Sequence, residues 1–214
     1  MLVRDRMTSD PITIAPDTTF PEAFQIIQEK GVHHLPVVDK RGKLIGIVTR
    51  EDLLHASPSS ATTLSVFEVN YLLARLQVRE VMRVPITVPD DMPLEEAARL
   101  MIDKGIGCLP VLRDGELIGI ITDTDIFKAF VEILGSGKSV LRLTMRVPDV
   151  PGELARMTSV IAGLGGQLYA VAAFRGEDPQ HVYVTFRLTG VEEETLLPAL
   201  REMGEEVVHV CCAA

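Results

Sequence analysis

The chain has 214 residues, 47% hydrophobic and 24% charged, a globular balance with room for one to three small domains. A net charge of −9 argues against nucleic acid, whose binding surfaces need clustered Lys and Arg, and no apolar run approaches the roughly 18 residues of a membrane helix. Trp is absent and aromatics are 5%, so the cores are aliphatic; three cysteines, two of them adjacent, make no disulfide framework and fit a reducing cytoplasm, and the opening MLVRDRMTSD is not a signal-peptide pattern.

Taken in chain order, Ile12-Thr13-Ile14 reads as a short strand. Asp17-Thr18-Thr19 caps a helix over 20–30, with Ala23, Phe24 and Ile27 on one face and Gly31 stopping it. Leu35-Pro36-Val37-Val38 is an apolar strand, Lys40-Arg41-Gly42 a turn, and 44–48 the returning strand. Thr49 then opens a helix through Leu54. Ser57-Pro58-Ser59-Ser60 reads as a loop. A helix over 64–76 follows, whose apolar residues at helical spacing (Phe67, Tyr71, Ala74) are expected to pack on the preceding module.

From Val78 the chain repeats itself. GVHHLPVVDKRGKLIGIVTREDLL over 31–54 returns as GIGCLPVLRDGELIGIITDTDIF over 105–127. Val3-Arg4-Asp5-Arg6-Met7 parallels Val78-Arg79-Glu80-Val81-Met82, and Pro11-Ile12-Thr13 parallels Pro85-Ile86-Thr87. The offset falls only from 75 (Met7 to Met82) to 73 (Gly42 to Gly115). In the second copy Pro93 starts the first helix, Gly105 ends it, and Asp114-Gly115 is the turn. Two copies of one unit stack about a pseudo-twofold axis, each burying the apolar face that the other exposes, and carry matching clefts. Gly46 and Gly119, inside strands, point to close approach by a ligand or by the neighbouring repeat. Gly135-Ser136-Gly137-Lys138 is the best domain boundary.

The tail changes pattern. Residues 141–147 alternate as a half-buried strand, and Pro148-Asp149-Val150-Pro151-Gly152 is a loop. A helix over 154–164 ends at Gly165-Gly166, strands cover 167–174 and 181–188, an acidic-fronted helix covers 192–203, and a last strand 206–211. The order β-α-β-β-α-β is ferredoxin-like.

The repeated LPVVDKRGKLIGIVTRED run resembles a CBS domain, and two in tandem resemble a Bateman module. Asp149-Val150-Pro151-Gly152-Glu153-Leu154 opening a helix resembles an ACT domain, and the whole order resembles the acetoin-utilisation AcuB-type proteins. The implied fold is α/β (α+β): two pseudo-twofold-related CBS repeats followed by a βαββαβ ACT domain. The implied boundaries are 1–56 (first repeat), 57–77 (linker and helix), 78–135 (second repeat), 136–139 (linker) and 140–214 (ACT).

The sharpest motif is Thr-x-x-Asp after an apolar strand, at Thr49–Asp52 and Thr122–Asp125. It reads two ways. Thr at the N-cap with an acid three residues on makes a capping box and starts a helix. The same geometry offers N–H groups and a hydroxyl to a phosphate and a carboxylate to a ribose. The resemblance implies ligand contact, in composite clefts. One would combine Thr122 and Asp125 with Thr8, Ile12, Thr13, Val32 and His33; the other Thr49 and Asp52 with Ile86, Thr87, Ile106 and Gly107. Apolar members would sandwich a base. Thr8 aligns with Arg83, which could pair with a phosphate or stay solvated. His33-His34 would alternate faces on a strand, so a shared metal is disfavoured and none is expected. Cys108 takes an apolar site. Cys211 and Cys212 face opposite ways near a frayed end. In the tail, Asp149, Val150, Gly152, Glu153 and Leu154 occupy the loop where ACT domains bind an amino acid; the other reading is a tight turn with Pro151 pre-setting the first helical residue.

No catalytic pattern is present: no Gly-x-Ser-x-Gly, His-Glu-x-x-His, P-loop or Gly-x-Gly-x-x-Gly. The expectation is a non-catalytic cytoplasmic sensor, paired as a homodimer through an open sheet edge. Its ligand would be AMP, ADP, ATP or an S-adenosylmethionine-like molecule and its listener a metabolic enzyme, in acetoin or acetate metabolism if the resemblance extends that far. The alternatives are a dimeric scaffold with vacant clefts and an amino-acid sensor working through the tail.

Overall fold

Glycines and caps begin and end the helices where their chemistry demands. In the computed structural model, which describes residues 1–56, 65–135, 140–204 and 206–213, the chain divides into two compact units, Met1–Phe127 and Lys128–Ala214. The expected loop at Ser57-Pro58-Ser59-Ser60, the helix start at Leu64 and the linker residues Ser136, Gly137 and Lys138 lie outside the described residues.

The first unit opens with a 3-10 turn (Val3–Asp5) and strand β1 (Thr8–Ser9). Helix α1 (Phe20–Lys30) starts on a capping box between Thr19 and Glu22 and stops at Gly31, which takes φ 64°. Strands β2 (His34–Val38) and β3 (Leu44–Thr49) form an antiparallel pair, followed by α2 (Arg50–Ala56). Helix α3 (Val66–Arg75) is capped by Ser65. Then come α4 (Val78–Val81), β4 (Val88–Pro89), α5 (Leu94–Lys104), β5 (Cys108–Arg113), β6 (Glu116–Thr122) and α6 (Asp123–Ile133), whose residues from Lys128 onward belong to the second unit. The second repeat builds the sheet β1-β6-β5-β4. The first repeat has the same arrangement with single-residue bridges at its flanks: Ile14 beside Val37 and Arg83 beside Ile47. Ile12-Thr13-Ile14 is therefore one bridge residue and not a strand. Pro16 has no N–H to continue the ladder past Ile14, and Pro36 on β2 has none to donate to Ile12, so only Ile14 makes both ladder bonds, to Pro36 O and from Val38 N–H, each 3.0 Å.

The two repeats exchange their leading arms. Val3 N–H donates to Met92 O and Leu94 N–H to Met1 O, which ties the first residues to the start of α5. Phe20 N–H donates to Leu76 O and Val78 N–H to Thr18 O, which ties 76–78 to the start of α1. Val78 is fully buried among Ile14, Phe20, Ala23, Ile27, Leu35, Val37, Val48 and Leu53, the core of the first repeat. The strand glycines answer to this exchange. A methyl group at Gly46 would collide with Met82, and one at Gly119 with Met7. Close approach is thus by the neighbouring repeat. Ile47, Cys108 and Ile120 form a small buried cluster of residues from both repeats.

Helix α3 meets α1 through a different face from the one expected. Leu73 and Leu76 pack on the first-repeat core, whereas Phe67, Tyr71 and Ala74 are exposed, Phe67 to 87%. Tyr71 instead lies under the Arg75 guanidinium, 4.4 Å from ring centroid to Cζ.

The second unit contains β7 (Val140–Pro148), α7 (Glu153–Gly163), β8 (Gln167–Arg175), β9 (His181–Thr189), α8 (Glu193–Glu202) and β10 (Glu206–Ala213). Its antiparallel sheet has the order β10-β7-β9-β8. Leu141, Leu143, Met145 and Val147 of β7 and Val184, Phe186 and Leu188 of β9 face a core closed by Met157 and Ile161 of α7 and Leu196 and Leu200 of α8. This is the expected ferredoxin-like unit. Two details differ. Strand β7 includes Pro148, and β10 runs to Ala213, so Cys211 and Cys212 sit in the ladder opposite Arg142 and Leu141 and not on a frayed end.

Candidate ligand-binding site

Both Thr-x-x-Asp motifs form complete capping boxes. Thr49 N–H and Oγ1–H donate to Asp52 Oδ2 at 3.0 and 2.9 Å, and Asp52 N–H donates back to Thr49 Oγ1 at 3.1 Å. At the second motif the corresponding distances are 3.0, 2.7 and 3.3 Å. Each helix start is also tied to the loop before its own repeat's strand: Arg50 N–H to His33 O (2.9 Å) and Asp123 N–H to Gly107 O (3.0 Å). Thr124 N–H donates to Asp123 Oδ1 at 2.6 Å. All four leading N–H groups of α6, from Thr122 to Asp125, are therefore bonded within the chain. The open N–H groups that the motif would offer to a phosphate are absent there, because Asp123 supplies a carboxylate where the first repeat has Arg50.

The two carboxylates differ. Asp52 is 6% exposed and its Oδ1 is held by the Arg83 guanidinium. Asp125 is half-buried, and its Oδ1 accepts no bond from any described residue, which leaves it open to an incoming hydroxyl.

Beside Thr49 lies a cleft of about 540 Å³, a volume suited to a small molecule. Thr49, Ile86, Ile106 and Gly107, four of the six residues expected in one cleft, line it together with His33, which the resemblance places in the other. Asp52 lies behind Arg83, and Thr87 is exposed outside the lining. His34, Ile47, Glu51, Arg83, Val84, Cys108 and Asp123 also line the cleft. Cys108 and Gly107 align with His34 and His33 in the duplication, and that alignment is the sequence signal that points to His34. Strand β2 begins only at His34, so alternation does not apply to His33, and both imidazoles reach one cleft with ring centroids 6.5 Å apart. Gly107 keeps the floor open: a methyl group there would stand 3.2 Å from Asp123 Oδ2 and 3.7 Å from His34 Nε2. Burial lowers the pKa of His34 below its ordinary 6.5, against the opposing pull of Glu51 and Asp123. Burial first, then Asp123 and Asp52, pushes the Cys108 thiol up to about 12, so it is an inert packing group.

The residues of the other expected cleft are placed as follows. Thr8 pairs with Ile120 on β6, two residues before Thr122. Ile12 and Thr13 are exposed, and Val32 packs against the first-repeat core. Among the described residues no group of three or more His, Cys, Asp and Glu is placed to hold a metal, and no helix is long and apolar enough to cross a membrane.

In the second unit Asp149, Val150, Glu153 and Leu154 line a groove of about 300 Å³ with Phe174 and Arg175. Arg175 grips Asp149 Oδ2 through Nε (3.2 Å) and Nη2 (2.8 Å). It lies 26 residues away on β8, and nothing in the local motif announces it. Gly152 is the N-cap of α7 at φ 92°, and a methyl group added there would meet nothing within 4 Å. Helix α7 starts at Glu153, so Pro151 precedes the cap and does not occupy the first helical position.

The fold is that of a pseudo-symmetric, two-repeat module followed by a ferredoxin-like unit. The CBS domain family matches residues 3–59 and 78–132, and the TTHA0829-like ACT domain family matches 139–211. The chain belongs to the CBS-domain family and carries a C-terminal ACT-like domain. A CBS domain-containing protein of Dictyostelium discoideum is 35% identical over 136 residues, 63% of this chain and 94% of that one. Several longer relatives are matched over about a quarter of their length, among them an inosine-5′-monophosphate dehydrogenase of Korarchaeum cryptofilum, 37% identical over 55% of this chain and 22% of its own. Among solved structures, one described as an acetoin utilization protein (AcuB) from Vibrio cholerae is 35% identical with a TM-score of 0.53, over 63% of this chain and 93% of that one. CBSX2 of Arabidopsis thaliana, solved with AMP, is 33% identical with a TM-score of 0.51, over 62% and 97%. A CBS domain pair solved with 5′-methylthioadenosine and S-adenosyl-L-methionine is 30% identical with a TM-score of 0.51, over 61% and 95%.

Proposed function

We propose that this chain is a non-catalytic regulatory sensor that binds an adenosine-bearing ligand between its CBS repeats and relays occupancy to a partner protein. The observation that carries the reading is the 540 Å³ cleft in which Thr49 and His33 of one repeat meet Ile86, Ile106 and Gly107 of the other. A ligand held by both repeats shifts any equilibrium in their relative angle, and couplings of this kind amount to about 1–3 kcal/mol. The relatives that bind AMP, 5′-methylthioadenosine and S-adenosyl-L-methionine support the ligand class. Ile86 and Ile106 flank the base. Arg83 is 69% exposed and can leave Asp52 for an incoming phosphate, which frees Asp52 for the ribose. Asp125 meets a ribose at its open Oδ1 without breaking its cap. The similarity to the Vibrio protein points to acetoin or acetate metabolism for the regulated enzyme, and a homodimer is the assembly to test.

The test is a thermal-shift panel of AMP, ADP, ATP, S-adenosylmethionine, 5′-methylthioadenosine, NAD and amino acids on nucleotide-stripped protein. A ligand at about a hundred times its Kd adds about 2.7 kcal/mol, a shift of several degrees. Shifts confined to adenosine compounds are expected. A flat panel from a well-behaved dimer replaces the sensor with a scaffold. Shifts from amino acids alone, lost in Gly152→Val, move the ligand site to the ACT-like unit.

A further inference from the structure

The outer face of the ACT-like sheet, away from α7 and α8, carries a cationic pair that no described residue neutralises. Arg142 on β7 and Arg187 on β9 are direct cross-strand partners in the antiparallel ladder, so their side chains project from the same face. Like charges placed directly opposite are destabilising. Both arginines are half-buried. Arg142 donates to Thr144 Oγ1 (3.2 Å) and lies 3.5 Å from His209 Nδ1; Arg187 donates to Gly135 O (3.0 Å). These partners are neutral oxygens and an imidazole. Among the described residues neither guanidinium forms an ion pair. Arg146, two turns of the pleat along β7 on the same face, is by contrast held by both Asp178 and Glu206. These two carboxylates are thus spent on the one arginine.

This arginine pair borders a pocket of about 410 Å³ within the second unit. Thr185 adds a hydroxyl, Ala170 and Ala172 leave a shallow apolar floor, and Phe130 and Phe174 provide aromatic surface. Ala170 lies directly opposite Arg187 in the ladder, so the small side chain keeps the guanidinium uncovered from that side. Two planar forks, each oriented by neutral neighbours, suit an anion with two or more oxygens. The apolar walls suit a hydrocarbon body and not a bare inorganic ion.

We propose that this sheet face is a second binding site, for a small organic carboxylate with an aliphatic or aromatic body, apart from the cleft between the CBS repeats and adjoining the Asp149–Leu154 groove, with which it shares Phe174. The carboxylate neutralises Arg142 and Arg187 together, and its body lies on Ala170, Ala172 and Phe174.

The test is isothermal titration of the full chain with butyrate and phenylacetate, beside the neutral butyramide and inorganic phosphate. Binding of at least one carboxylate is expected, weakened tenfold or more in Arg142→Met and in Arg187→Met and undetectable for butyramide. Arg142→Lys and Arg187→Lys, which keep the charge and lose the fork, are expected to lie between. Should the Met variants misfold, the Lys variants decide, because carboxylate affinity equal to wild type in both would overturn the proposal. It is also overturned if neither carboxylate binds, if butyramide binds as well as butyrate, or if phosphate binds as tightly as either carboxylate.

Discussion

Asp52 joins two roles in one side chain. It caps α2 and anchors Arg83, and it is buried while doing so. Replacing it with Ala removes the cap and leaves Arg83 without its anion, a loss of about 1–3 kcal/mol, read from urea unfolding. Asp125→Asn separates the two readings of the second motif: the amide oxygen can still accept the cap bonds, so stability is expected to hold within about 0.5 kcal/mol while adenosine-ligand affinity falls. Equal affinity would assign the motif to capping alone. His34 adds a pH dependence with a definite sign. Its folded-state pKa is lowered by burial, so the unfolded chain binds the proton more readily. Its neutral form is fully compatible with the fold above pH 6.5; stability falls as pH drops through that value toward the lower folded pKa and then levels off. Unfolding followed at stepped pH should show this slope in the wild type and lose it in His34→Gln.

Helix α3 shows why periodicity alone does not choose a packing face. Its apolar residues occupy more than one stripe, and the segment presents Leu73 and Leu76 to the first-repeat core while leaving Phe67 and Tyr71 outside. Phe67→Ser is therefore expected to change stability by less than about 0.5 kcal/mol, whereas Ile27→Ala in the facing core should cost about 2–5 kcal/mol; thermal unfolding of the two variants checks the contrast. Capping signals are more informative than stripes. Thr19, Ser65, Gly31 and Gly105 mark helix ends because each satisfies or terminates a backbone ladder by local chemistry, without reference to distant residues. The strand expected at Ile12-Thr13-Ile14 does not form because Pro16 and, on the paired strand, Pro36 have no N–H for the ladder on either side of Ile14.

At the scale of the whole first unit, the exchange of arms makes the repeats one cooperative body. Met82 closes on Gly46 and Met7 on Gly119. Gly46→Ala should cost about 1–3 kcal/mol by overpacking, and combining it with Met82→Ala should recover part of that loss. A double-mutant cycle by urea unfolding measures the coupling; additive losses would show that Met82 can move aside freely. The same exchange brings Arg83 to Asp52 and Ile47, and so builds one wall of the cleft from the second repeat's arm.

The duplication, the main helix ends, the β-α-β-β-α-β order of the tail and the Thr-x-x-Asp caps were legible in the amino-acid sequence. These rest on interactions within a few residues or on a pattern that recurs. Tertiary structure alone decided which repeat each arm joins, that His33 and His34 share a cleft, that Asp123 closes the start of α6, and that Arg142 and Arg187 stand side by side on one sheet with no described carboxylate between them. Register and arm exchange depend on contacts between residues far apart in the chain, and a local pattern carries no information about which distant partner a side chain will meet.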